Sequence, residues 1–278
     1  MKKAIILFLL LNNMPHSFAQ ITFQKTYGGT DREFAGSGQQ TNDSGFIMTG
    51  STYSFRTLQN DVYLVKTNPQ GDTMWTRAFH ATLYETGWSV QQTADSGFII
   101  SAGTQSTSSP GSQHIYLIKT DANGNLSWSK TIADISIDQS LNIKQTFDGG
   151  YILAGYTLNY PYPFYNAYLV KINAVGGIVW TKTYGGWGAS QQKAVSVQQT
   201  ADSGYVLCGN TNWNAVGDND IFIIKTNSTG DTLWTKNYGG TGLDIAFSIE
   251  NTTDNGYIVC GYTQSFGAGG NDMYVVKT

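Results

Sequence analysis

Ile178-Val179-Trp180-Thr181-Lys182-Thr183-Tyr184-Gly185-Gly186 decides the fold, because the chain writes this stretch more than once. Leu233-Trp234-Thr235-Lys236-Asn237-Tyr238-Gly239-Gly240 follows 54 residues later in nearly the same wording. Ile21-Thr22-Phe23-Gln24-Lys25-Thr26-Tyr27-Gly28-Gly29 opens the array, with Phe23 in the place of tryptophan. Outward from these copies, Trp75, Trp128, Trp180 and Trp234 recur every 52 to 54 residues. Lys66, Lys119, Lys171, Lys225 and Lys277 keep the same period, and so do Asp43, Asp95, Asp148, Asp202 and Asp254, each two residues before a glycine. Three independent markers with one period make the chain a repeat array.

Each unit reads as four short strands. The first carries the tryptophan, and Val195–Thr200 exemplifies the second. The third is almost continuously apolar, as in Tyr151–Thr157, which suits burial on both faces. Tyr63-Leu64-Val65-Lys66 represents the fourth. β-Branched and aromatic residues bounded by Gly, Asn and Asp are strand-and-turn signals. Asp-x-Gly links the second and third strands, and Asp121–Asn125 and its copies link the fourth to the next first strand. In both, Asp or Asn bonds nearby amides and glycine is expected to supply positive φ. In a meander these short turns share one face, which leaves the longer, variable connections on the other.

Four-stranded units of about fifty residues describe an all-β, five-bladed β-propeller of antiparallel blades. The units run at about 21–75, 76–128, 129–180, 181–234 and 235–278. The last lacks a tryptophan strand, and Ile21–Gly29 is expected to pair beside Met273–Lys277 and close the ring. A fragment of a longer array is the alternative.

Composition agrees with this reading. Charged residues make up 13%, about half the usual share, while glycine reaches 32 residues and aromatics 13%. Such a chain is too aromatic and too weakly charged for disorder. A net charge of −3 argues against a phosphate-binding surface and hence against nucleic acid. Lys2 and Lys3, the apolar run Ala4–Leu11 and Ser17-Phe18-Ala19 lay out a signal peptide over residues 1–19, with residues 20–278 as the propeller. The run is too short to span a bilayer, so no membrane insertion is expected. Export would deliver the chain to the cell surface, the medium or the periplasm, and a monomer is expected.

The repeat wording, Trp-Thr-Lys-x-Tyr-Gly-Gly, Asp-x-Gly-Tyr-Ile-x-x-Gly-x-Thr and Asp-x-Tyr-x-Val-Lys-Thr, resembles the β-propeller repeats of secreted bacterial proteins. It is similar to the SBBP-type repeat and to repeat regions of type IX secretion cargo, over about residues 21–278. The resemblance implies a fold and an extracellular address, and no particular chemistry.

Chemistry-bearing residues are few. Cys208 and Cys260 precede a glycine where other units carry Thr49, Ala102 and Ala154, which predicts two buried free thiols. The Asp-x-Gly carboxylates read as turn chemistry, and the repeated lysine as a stem packed between blades whose ammonium reaches solvent or a turn carboxylate. Glu33, Glu85, Asp138 and Asp244, with Gln192 in the fifth copy, share one register before the second strand. Asp61, Asp220 and Asp272 open the fourth, where other copies carry His114 and Asn166. Such a ring could attract Ca²⁺, but capping of strand ends is the simpler account, so no metal and no cofactor is expected. Nearly all acids fall on repeated positions, and His80 and His114 have no repeated partner, so no enzyme is expected.

Binding is sought where the chain stops copying itself. Residues 158–165 hold Tyr160, Tyr162, Phe164 and Tyr165 with two prolines, and Trp187 and Trp213 stand in other connections on the same face. Stiffened rings on a polar surface suit sugar stacking or peptide capture. The expectation is a binding module for glycans or other extracellular polymers. A structural or protein-interaction propeller of an adhesin is the rival, and an extracellular glycosidase comes third.

Overall fold

A computed structural model describes residues 22–278 except 56–58, 106–112, 133–136, 159–163, 186–190, 213–214 and 216. The region assigned to the signal peptide lies outside these. Four sheets have four antiparallel strands in sequential order. The first is β1 (Glu33–Gln40), β2 (Phe46–Thr52), β3 (Asp61–Thr67) and β4 (Thr73–Phe79); the second is β5 (Glu85–Gln92), β6 (Phe98–Gln105), β7 (Gln113–Thr120) and β8 (Leu126–Ile132). The third is β9 (Ile137–Gln145), β10 (Tyr151–Leu158), β11 (Tyr165–Ile172) and β12 (Ile178–Tyr184); the fourth is β13 (Gln192–Gln199), β14 (Tyr205–Thr211), β15 (Asp220–Thr226) and β16 (Thr232–Tyr238). A fifth sheet has three strands, β17 (Asp244–Asn251), β18 (Tyr257–Thr263) and β19 (Asp272–Lys277). No helix occurs among the described residues. These are the meandering blades of a propeller.

The core lies between consecutive sheets. Outward-facing Ile47, Val62 and Leu64 of the first sheet pack on Val90, Phe98, Ile100 and Ile118 of the second. The same positions, Ile99, Ile115 and Leu117, then meet Ile143, Tyr151, Leu153 and Val170 of the third. Each tryptophan packs on the aromatic that opens the second strand of the next sheet, edge-on for Trp75 on Phe98 at 5.8 Å, Trp128 on Tyr151 at 6.2 Å and Trp180 on Tyr205 at 5.8 Å, and tilted at 43° for Trp234 on Tyr257. A polar ladder accompanies the apolar contact along the inner strands. Ser37, Ser89 and Ser196 accept from the amides of Val90, Ile143 and Ile249, and Gln39 and Gln91 accept from those of Gln92 and Gln145.

The expected ring closure is not made. Residues 22–32 form no strand, and among the described residues β19 pairs only with β18. The N-terminal segment instead lies on the first sheet. Phe23 stands 5.6 Å from Phe46, Tyr27 donates to the Gly71 carbonyl at 2.8 Å, and Lys25 pairs with Asp72. It thus takes the seat of an outermost strand from a preceding blade without the other three strands of that blade. Among the described residues both ends of the array stay uncovered, with Phe34 57% and Met273 89% exposed.

Two turn details differ from expectation. In Asp-x-Gly the positive φ falls on the middle residue, at Ser44, Ser96, Gly149, Ser203 and Asn255. The glycine is needed for another reason: a Cβ at Gly204 would lie 2.2 Å from the Thr226 carbonyl oxygen and 2.7 Å from Lys225 Nζ. Because an L-residue is strained near φ 64°, Ser203→Gly is expected to raise stability by up to about 1 kcal/mol. Gly204→Ala should lower it by more, and paired thermal melts read both.

The cysteine register also shifts. Pairing sets Cys208 opposite Ile223 and Ser101 opposite Leu117, so Ser101, not Ala102, is the equivalent residue. Both thiols are free, Cys208 buried as expected. Cys260 is exposed, because no sheet covers its side of the fifth blade.

Candidate functional site at the blade joints

The face that bears the variable connections receives the first or second residue of every inner strand and of every third strand. Neighbouring sheets bring these positions together. The first joint sets Asp61 beside Glu85, both buried, and His80 lies between them. His80 Nδ1 is 3.1 Å from Asp61 Oδ1 and 3.1 Å from Glu85 Oε2. Glu85 Oε1 accepts from the Thr82 amide and the Thr104 hydroxyl, both at 2.8 Å. Among the described residues this is the group whose donor atoms, all within 4.8 Å, could hold a metal ion. Burial raises the Tyr116 pKa, and the negative charges of Glu85 and Asp61 push the same way.

The other joints carry different chemistry at the same positions. His114 and Asp138 are buried in the second, and the third has the neutral Asn166 and Gln192. The fourth has Asp220 and Asp244, 3% and 0% exposed. Glycine replaces histidine there. A Cβ at Gly239 would come within 2.1 Å of Asp220 Oδ1 and 2.6 Å of Asp244 Oδ2, so the two carboxylates crowd one point. This explains the first glycine of the Tyr-Gly-Gly wording: the strand-start side chain rests on its Cα. Asp244 accepts from the Gly240 amide at 2.9 Å and the Ser265 hydroxyl at 2.6 Å, and Glu33 from Thr52, Ser54 and the Gly29 amide. These are strand-end caps, as the sequence suggested.

Of the aromatic residues singled out for binding, Tyr160, Tyr162, Trp187 and Trp213 lie outside the described residues. Phe164 and Tyr165 are half-buried at the start of β11. The Tyr165 ring stands 4.9 Å from that of Tyr156 at 75°, and Lys193 Nζ lies 4.2 Å from Tyr165 and 4.6 Å from Tyr156. Desolvation lowers the Lys193 pKa. The Tyr156 hydroxyl donates to Gln139, which donates to Gln113 Oε1 at 2.6 Å. Sequence reasoning missed Lys193, although a signal existed: the other copies hold Phe34, Thr86, Gln139 and Ile245 there. On the opposite face a cleft of about 430 Å³ is lined by Phe147, Gln199, Asp202, Asn251 and Tyr257.

No family model matches the chain, and no curated protein matches it. Solved structures share the fold. A protein of unknown function from Dyadobacter fermentans aligns with TM-score 0.58 at 11% identity, over 86% of this chain and 74% of its own. One from Bacteroides caccae, also of unknown function, aligns at 0.55 and 9%, over 83% and 72%. A "putative exo-beta-1,3-galactanase" from Bifidobacterium bifidum s17 aligns at 0.50 and 12%, over 87% and 86%.

The last likeness corrects one expectation. An enzyme was discounted because the acids recur at repeated positions. The fold is shared with a protein described as a galactanase. The geometry also removes the premise, since Asp61 meets Glu85 and Asp220 meets Asp244 across joints. Repeated positions therefore yield acid pairs that differ from joint to joint, and the exclusion of an enzyme does not stand.

Proposed function

We propose that this chain is an exported bacterial propeller of the secreted-repeat type that engages extracellular glycans through its variable-loop face. The observation that carries the reading is the Tyr156–Tyr165–Lys193 stack. Tyr156 and Tyr165 belong to β10 and β11, the strands that flank in sequence the stretch holding Tyr160 and Tyr162, and no other unit carries a counterpart of Tyr165 or Lys193. Rings stack on sugars through their faces, and a neighbouring ammonium can bond hydroxyls or acidic sugars. The galactanase likeness supports a carbohydrate as the class of partner.

Affinity electrophoresis through gels cast with β-1,3-galactan or other neutral and acidic polysaccharides tests this. A stacking ring contributes about 1 kcal/mol beyond its area burial, and a millimolar complex has only about 4 kcal/mol in all. Replacing Tyr160, Tyr162 and Tyr165 by alanine should therefore abolish retardation. Release of reducing ends from the same polymers reads out cleavage. A chain that no polysaccharide retards, or a triple variant retarded like the parent, would sink the glycan reading.

A further inference from the structure

We propose that the two uncovered ends of the array are the halves of one blade joint, completed by a second copy of this chain docking head to tail. The outward positions of the first four sheets set the standard. Ile47, Ile99, Ile152 and Val206 are fully buried, as are Val62, Ile115, Ala167 and Ile221, and Leu64, Leu117, Leu169 and Ile223. On the fifth sheet the same places hold Ile258, Met273 and Val275, which are 39%, 89% and 53% exposed. This is a joint face without its neighbour.

The receiving half is on the first sheet. A cleft of about 370 Å³ opens there between Thr26 and Tyr27 on one side and Ala35, Met48, Tyr63 and Val65 on the other. The N-terminal segment already occupies the outermost seat over it. Phe23 repeats the Trp180–Tyr205 contact on Phe46, and Tyr27 repeats the bond of Tyr184 to the Gly230 carbonyl. Lys25 with Asp72 repeats Lys182 with Asp231. What the cleft lacks is three strands, and β17–β18–β19 is a three-stranded sheet lacking a fourth.

Polar groups agree on the register. Asp272 would meet Glu33 of the second copy as Asp61 meets Glu85. Ser248 stands where Ser196 accepts from the next sheet, and the Gly38 amide stands where that of Ile249 donates. One copy presents both halves at opposite ends of its array, so docking is heterologous and propagates until a ring closes or a filament grows.

Sedimentation of the purified chain should show species of two or more chain masses that grow with concentration. Met273→Asp blocks one half and Met48→Asp the other, so each variant alone should remain monomeric. Mixed, they retain one intact pair of faces and should give a one-to-one dimer and nothing larger. Circular dichroism checks that both variants fold. Cys260 gives a readout without mutation, since it is exposed on the open face while its equivalent Cys208 is fully buried. Its alkylation should slow about tenfold when nine in ten of the fifth-sheet faces are covered. A parent chain that is monomeric throughout, with Cys260 as reactive as in Met273→Asp, overturns the proposal. So does a monomer with Cys260 protected, which would mean that the array closes on itself, and so does a mixture without dimers.

Discussion

Trp180→Ala should lower stability by about 3–5 kcal/mol, the usual range for removing a packed tryptophan. Trp180 packs on the cluster that joins the third and fourth sheets, which includes Ile152, Leu169, Tyr205, Leu207, Phe222 and Ile224. Its ring lies 5.8 Å from that of Tyr205 and also against the turn glycine Gly230. Removing it leaves a gap in the seam of one joint. Chemical denaturation of the variant should show a lower midpoint. Hydrogen exchange should accelerate first in β12 and β14, and an unchanged midpoint would mean that the seam closes over the loss.

A second large effect is expected at the clamps beneath the Asp-x-Gly turns. Lys66, Lys119, Lys171 and Lys225 are buried, and their ammonium groups lie 2.8–3.0 Å from Asp43, Asp95, Asp148 and Asp202. Each also donates to a backbone carbonyl, as Lys225 does to Thr226 at 2.8 Å. Asp202→Asn leaves a buried ammonium without its counter-charge. Breaking a fully buried pair costs about 3–5 kcal/mol. Because the Asp202 side chain is 58% exposed, water can screen the stranded charge, and the expected loss falls to about 1–3 kcal/mol. A double replacement, Asp202→Asn with Lys225→Met, should recover much of it.

The same clamps set a pH dependence. Hydrogen bonds from Lys66 and Thr41 hold Asp43 at about 2, and those from Lys225 and Thr200 do the same for Asp202. At Asp95 and Asp148 burial pulls upward, but the lysine and threonine bonds win and the value is again about 2. These folded pKa values lie below the ordinary 3.8, so the stabilisation is present above that value and is lost as pH falls towards 2. Urea midpoints should therefore hold steady down to about pH 4 and drop below it, with Asp202→Asn flattening part of the fall.

The repeat markers already located these clamps. Lysine and aspartate with one period, separated by 23 residues in Asp43 and Lys66, were legible as turn and stem. Blade count, strand order and the division into turn face and loop face followed from the same wording. What was not legible depended on contacts between units. Every inner strand carries a bulge, such as that between Ala194 and Ser196, and a bulge inserts a residue without changing composition. The pairing of Asp220 with Asp244 needed the joint geometry, since the two residues belong to neighbouring sheets. Closure was misjudged because Ile21–Gly29 has the right wording for the last blade's fourth strand. Wording alone fixes which sheet such a segment lies on, here that of Phe46, and not which strand pairs with its edge.

The sameness of the joints has a consequence for how such a chain can change its length. Contacts run between consecutive sheets, so stability is nearly a sum of units and nearest-neighbour terms. Excising residues 129–180 would splice Trp128 to Thr181 and leave the strand wording Leu-Ser-Trp-Thr-Lys intact. Ile99, Ile115 and Leu117 would then meet Val197, Leu207 and Ile224, residues of the same kind as those they meet now. Duplication of a unit is equally mild. Recombination between its own repeats can therefore lengthen or shorten the gene in steps of one blade, while the variable loops, which no joint requires, diverge copy by copy.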